Sequence, residues 1–580
     1  MITGAKDLRG RVSERVGGRV AERVGEVASS RIPPLILELD LTEELVEGPP
    51  QDAVSAALRY RKARLQDVLQ RLRRAGADPR VRALVARVGR SAIGMAQVQE
   101  LRDAVLAFRS TGKPAVAWAE TFGEFAPGTL PYYLATAFDQ IFLQPSGDVG
   151  LMGVSVEARF LRDALGKAGI QPEIEQRHEY KNAANMFREP GFTSAHREAS
   201  SRIAASAAEQ VVSAVAAGRG LGEDDVRRLM DSGPLFAKEA LDAGLVDGLA
   251  YRDQVYSAVR RRVGVPARLR YVSRYRAPLP RRVSHRVMHR PVGTVAVIHG
   301  HGAIRQGRGG RGLLGASIGS DIVTAAFRAA VRDERVRAIV FRVDSPGGSY
   351  VASDAIWRAV VRARAAGRPV VVSMGNFAAS GGYFVSAPAD LIVAEPGTLT
   401  GSIGVVGGKG VTSGLLDKLG IGHDAVAEGR HALMFSTARA FSDSEWDRVN
   451  AWLDRVYDDF VGKVAAGRLM SRERVHELAR GRVWTGADAH AQGLVDELGG
   501  VERAVELARV RAGVPEAAEI TLRTYPKPSP VERIRPPASS EDVAALSALR
   551  EAWGPVAAQA ARLGLPAAGP LVMPVAYEIT

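Results

Sequence analysis

Ser380 stands in the run Ala378-Ala379-Ser380-Gly381-Gly382-Tyr383, directly after an apolar stretch that reads as a buried strand. A serine hydroxyl becomes a nucleophile when a turn holds it fixed, a base takes its proton and backbone N–H groups await the oxyanion. The small neighbours allow a tight turn and close approach of a substrate. A helix starting at Ser380 would add free amides and the favourable end of its dipole. The run is not a G-x-S-x-G elbow, because Ala378 stands where glycine would. A second turn, Asp344-Ser345-Pro346-Gly347-Gly348-Ser349, follows an earlier strand of the same half. Adjacent parallel strands would bring both turns to one end of a sheet, where Gly348 and Gly381 could aim two N–H groups at one carbonyl oxygen. Either turn alone needs its glycines only to be tight; the pair in this order is far more specific.

The elements that must position these turns occur twice. Asp78–Val88 (DPRVRALVARV) matches Asp333–Val343 (DERVRAIVFRV), and Lys113–Trp118 matches Arg368–Met374 as a second apolar strand. Tyr132–Val154 then matches Tyr383–Val405, Lys167–Ile170 matches Lys418–Ile421, and Ala237–Leu249 echoes Thr485–Leu498. Such internal repetition, with short β-rich runs alternating with 3.6-period stretches, predicts two related α/β halves with parallel or mixed sheets. The expected organisation is an N-terminal amphipathic segment over 1–31, a first repeat over 32–265, an Arg-rich connector over 266–290, a second repeat over 291–514 and a Pro/Ala-rich extension over 515–580. The N-terminal segment carries Leu8, Val12, Val16, Val20 and Val24 at four-residue steps, a narrow apolar stripe that Gly17, Gly18 and Gly25 weaken.

The runs DSPGGS (Asp344–Ser349), AASGGYF (Ala378–Phe384) and TLTGSIGV (Thr398–Val405) resemble the signature of signal peptide peptidase A in its long, two-repeat form. The resemblance spans roughly Ile32 to Val514. It implies two tandem ClpP/crotonase-like repeats and a serine peptidase with a serine–lysine dyad, the serine in the second repeat and the lysine in the first. The lysine motif is present as Glu179-Tyr180-Lys181-Asn182-Ala183-Ala184, which makes Lys181 the general base, and the resemblance assigns Ser402 to orient its amine. Aligning Tyr132 on Tyr383 sets a repeat offset of 251 residues, so Ser380 faces Thr129 and Lys181 faces Ala432. The first half has lost the serine turn and the second the lysine, which are complementary parts of one split site. A lysine base must shed its proton near neutrality, and its ordinary pKa of about 10.4 has to fall by desolvation in an apolar cleft.

The resemblance further implies apolar peptide substrates such as remnant signal peptides, no metal or other cofactor, and a homotetramer. Two rivals share parts of the pattern: an acyl-CoA hydratase, isomerase or thioesterase on the crotonase fold, which needs the oxyanion hole but no nucleophile, and a catalytically inactive scaffold at a membrane surface. A Ser–His–Asp triad on Ser380 stays open, although His178, His299, His301, His423 and His431 form no metal spacing and occupy no recognisable slot.

Composition narrows the field. With 580 residues, 46% hydrophobic and 24% charged, the chain is a multi-domain globular protein. The absence of cysteine removes thiolate nucleophiles, disulfides and cysteine metal sites. No P-loop motif is present, which argues against ATP-driven chemistry within the chain. The net charge of +14 suits an anionic membrane surface better than nucleic acid, because the one RGG-like stretch, Gly307–Gly312, lacks interleaved aromatics. Neither a run of about 20 apolar residues nor an apolar leader is visible, so the expected location is cytoplasmic or peripheral to a membrane, whereas the family it resembles is usually anchored.

Overall fold

The computed structural model of the chain describes residues 34–48, 62–90, 93–277, 293–312, 315–515, 518, 520–525 and 571–572. The N-terminal stripe and the part of the connector over 278–290 lie outside the described residues.

The strands read as nearly continuous apolar runs because they are covered on both faces, the signature of parallel sheets in α/β proteins. In the first repeat the sheet order is Gly248–Leu249, Gln140–Leu143, Ala115–Ala119, Val81–Arg87, Leu35–Asp40 and Arg268–Tyr271, with every pairing parallel. In the second, Ile520–Tyr525, Gly293–His301, Val336–Ser345 and Val370–Ala379 lie side by side in parallel. Leu391–Ala394 and Leu399–Gly401 then pair with successive parts of Val370–Ala379. The chain is thus two tandem α/β repeats built on parallel sheets.

The sheets extend past the boundaries read from sequence. Arg268–Tyr271, inside the expected connector, pairs in parallel with Leu35–Glu38, and Ile520–Tyr525, inside the expected extension, pairs with Gly293–Ile298. Both are edge strands. Arg268 and Arg270 point to solvent while Leu269 packs inward, so the arginine-rich composition that suggested a linker is that of a protected edge.

The two repeats are welded rather than tethered. The helix Val501–Arg511 lies on the second sheet, yet its Val501, Ala504, Val505 and Ala508 share one apolar core with Leu69, Leu72, Leu101 and Val105 of the first repeat. Across the same joint the buried Arg342 guanidinium meets Glu47 at 2.8 Å and Glu100 at 2.6 Å, and Glu100 also accepts the amide of Val501 at 3.0 Å. Burial pushes the Glu100 carboxyl up against the pull of Arg342, a balance that makes the joint costly to break on one side only. The first repeat also sends an arm across: Gln171–Gln176 pairs antiparallel with Val406–Val411 of the second. Lys181 lies five residues beyond that pairing.

Candidate active site

Strand register puts the two glycine turns together. Val336–Ser345 and Val370–Ala379 are neighbours with Ser345 opposite Ala378, so the chain leaves both strands at the same end. A Cβ built on Gly381 would lie 3.1 Å from the amide nitrogen of Gly348 and 3.2 Å from the Gly347 Cα. Only glycine fits this contact. Ser345 Oγ accepts the Gly347 amide at 3.2 Å and pins the first turn. The role of Ser345 is not evident from the sequence.

Ser380 caps the short helix Gly381–Ser386 with φ 55° and ψ −116°, a conformation that side chains rarely adopt. Its amide donates to the Gly401 carbonyl at 2.8 Å, and its own carbonyl accepts from Phe384 at 2.9 Å. The backbone is therefore held on both sides and the hydroxyl is presented in a fixed direction.

Lys181 arrives from the first repeat. Its Nζ lies 2.9 Å from Ser380 Oγ, 2.9 Å from Ser402 Oγ and 3.0 Å from the Ser402 carbonyl. All three residues are fully buried. Desolvation alone drives the amine well below the ordinary lysine range, with no carboxylate among the causes to oppose it. The neutral form suits these partners. An NH₂ group has two donors and one lone pair, so it can give one proton to the Ser402 carbonyl and keep its lone pair for a hydroxyl.

The turn that cradles the lysine gives no sign of itself in the sequence. After helix Arg472–Leu478 the chain turns through Arg480 at φ 52° and Gly481 at φ 85°. A Cβ on Gly481 would lie 2.4 Å from the Lys181 Cα. The turn also accepts the Tyr180 amide at Arg480 O (3.1 Å) and the Ser402 amide at Arg482 O (2.7 Å), binding both flanks of the site to one loop. Gly404 abuts the lysine stem: a Cβ there would lie 3.2 Å from Lys181 Cδ. In sequence Arg480-Gly481-Arg482 looks like any tight turn, and nothing in its spacing points to Lys181.

Among the described residues, the side-chain partner of Ser380 Oγ is Lys181. His301 instead pairs with Asp344 at 3.1 Å, and His178 packs against Tyr457 and His476. Nor does any described helix have the length and apolarity to cross a membrane.

The family model for Peptidase family S49 matches residues 107–266 and 362–515, which is one match in each repeat. The chain belongs to peptidase family S49. It is 33% identical over 498 residues to "Protease 4" of Salmonella typhi, covering 82% of this chain and 78% of that protein. It is 29% identical over 463 residues to "Serine protease SPPA, chloroplastic" of Arabidopsis thaliana, covering 79% and 67% respectively. A solved ClpP1 mutant from Listeria monocytogenes matches at a TM-score of 0.23 and 13% identity, over 36% of this chain and 94% of that one. This S49 chain is a serine endopeptidase, as the signature runs led one to expect. The hydratase and scaffold alternatives fall with that assignment.

Proposed function

We propose that this S49 endopeptidase works through a serine–lysine dyad and cleaves apolar peptides of the remnant-signal-peptide kind. Ser380 Oγ attacks the scissile carbonyl carbon as its proton passes to Lys181 Nζ. The carbonyl oxygen takes the displaced electron pair and is held by the amides of Gly348 and Gly381. Collapse of this intermediate expels the amine, which leaves with the proton from Lys181. Water then attacks the acyl-enzyme with Lys181 again as base, releasing the acid and restoring Ser380. Ser402 orients the amine through its hydroxyl and carbonyl.

The observation that carries this reading is the buried Lys181 amine 2.9 Å from Ser380 Oγ, with its pKa depressed by desolvation. The test is cleavage of an apolar peptide by the wild type beside Ser380→Ala and Lys181→Ala, with a serine-directed phosphonate marking the nucleophile. Both variants lose turnover and the label falls on Ser380. Near-wild-type turnover in Lys181→Ala would return the role of base to a histidine.

Assembly as a homotetramer is part of the same proposal, and repeat symmetry supports self-association. The arm Gln171–Gln176 finds its partner strand Val406–Val411 within the chain. Its counterpart at the 251-residue offset, 422–427, is exposed throughout and belongs to no described strand. A second copy offers the partner that one chain lacks. Light scattering on the purified protein measures the assembly. Contact with an anionic membrane surface, which salt would weaken, completes the proposal and is measured by vesicle flotation.

A further inference from the structure

The Gly347–Gly348 strand has two edges. One pairs in parallel with Ala303–Arg305, Ile304 lying opposite Gly348, and the Ser349 amide donates to the Ile304 carbonyl at 2.8 Å. Successive amides along a strand point to opposite edges, so the Gly348 N–H faces the other one. That edge is occupied by the chain's own Leu571–Val572, which pairs antiparallel with Gly348 opposite Leu571 and Gly347 opposite Val572. It is also the side on which Gly381 approaches the Gly348 nitrogen. Leu571 therefore faces the amide that the proposed mechanism uses for the oxyanion.

We propose that the C-terminal segment around Leu571–Val572 is an intramolecular occupant of the substrate groove, with Leu571 in the slot of the residue whose carbonyl is attacked. The inference rests on the dyad reading above. It adds that the enzyme is held partly closed to other peptides by its own tail, and that substrates enter antiparallel to Gly347–Gly348. The chemistry of the segment fits the groove: Leu563–Ala576 (LGLPAAGPLVMPVA) contains no charged residue. Reach is ample, because the chain from Tyr525 to Leu571 can span roughly 150 Å when extended. A tethered peptide competes at an effective concentration far above that of a dilute substrate, so even weak pairing suppresses activity at low substrate.

The experiment compares the full-length protein with full-length Leu571→Pro, whose missing N–H and fixed φ disrupt the antiparallel pairing. Apparent KM for an apolar peptide falls by about three- to tenfold in the variant while kcat is unchanged. A synthetic peptide of sequence 566–577 inhibits the variant competitively, and phosphonate labelling of Ser380 is faster in the variant than in the wild type. An unchanged KM overturns the inference, as does a lowered KM without inhibition by the peptide. Equal labelling of Ser380 in both proteins rejects the tail and leaves the dyad standing. Absence of label on Ser380 in both rejects the dyad and the tail with it.

Discussion

The turn at Ser380 and its counterpart at Thr129 are built on the same scaffold and do different things. Tyr383 Oη donates to the Leu494 carbonyl at 2.9 Å, and Tyr132 Oη donates to the Leu245 carbonyl at 2.7 Å. Asp390 holds the Val370 amide and pairs with Arg364; Asp139 holds the Ala115 amide and pairs with Arg109. The chemistry diverges within this shared frame. Thr129 Oγ1 donates to the Gly153 carbonyl at 2.8 Å and is followed by Leu130 and Pro131 rather than two glycines. Leu151 stands at the position equivalent to Ser402 and lies in the apolar core. Buried hydrogen bonds that set strand ends are retained in both repeats because losing either partner leaves a buried group unsatisfied. Nothing comparable protects a nucleophile turn once another repeat supplies one, so that turn relaxed into core packing.

Removing the dyad is the strongest test of this division. Ser380→Ala or Lys181→Ala lowers kcat/KM by about 10⁴-fold or more, and the double variant loses little further, since the two act as a unit. Thr129→Ala leaves kcat/KM at the wild-type level. Loss of turnover in the Thr129 variant would break the comparison outright. The next largest effect is at the joint that brings the halves together. Arg342→Met leaves Glu47 and Glu100 buried without their cation and costs about 3–5 kcal/mol, read as a lowered denaturation midpoint.

Gly481→Ala sharpens the comparison from the lysine side. Its φ of 85° and the 2.4 Å approach to Lys181 displace the base from Ser380, and a misplacement of about 1 Å can cost ~10²-fold in kcat. KM changes less. The pH dependence carries a smaller effect with a definite sign. Protonated Lys181 cannot accept the serine proton, so kcat/KM rises with pH through the amine's pKa and then levels. Burial lowers that pKa, which puts the limb below the ordinary lysine range. Ser402→Ala, a change toward the apolar residue at the equivalent first-repeat position, slows turnover about tenfold and moves the limb. A limb that disappears when one histidine is replaced would assign the base to imidazole.

Much of this was legible in the residues themselves. Repetition at a constant offset exposed the two halves, and the complementary losses at Thr129 and Ala432 marked a split site before any distance was known. Glycine pairs after apolar strands located both turns, because close backbone contact and positive φ leave no room for a side chain. Composition misled where local chemistry had two uses: the arginines of 268–271 read as a linker, although an edge strand with one solvent face is equally rich in charge.

Sequence alone thus determined the repeats, the nucleophile turn and the amide-bearing turn, since each depends on the nature and spacing of near neighbours. Only the tertiary structure decided the distance from Lys181 to Ser380, the desolvation of the amine, the Arg480–Arg482 cradle and the pairing of Leu571 with Gly348. These join segments far apart in the chain. Burial and register emerge only when the sheets have packed, and no local pattern encodes which distant backbone will lie alongside.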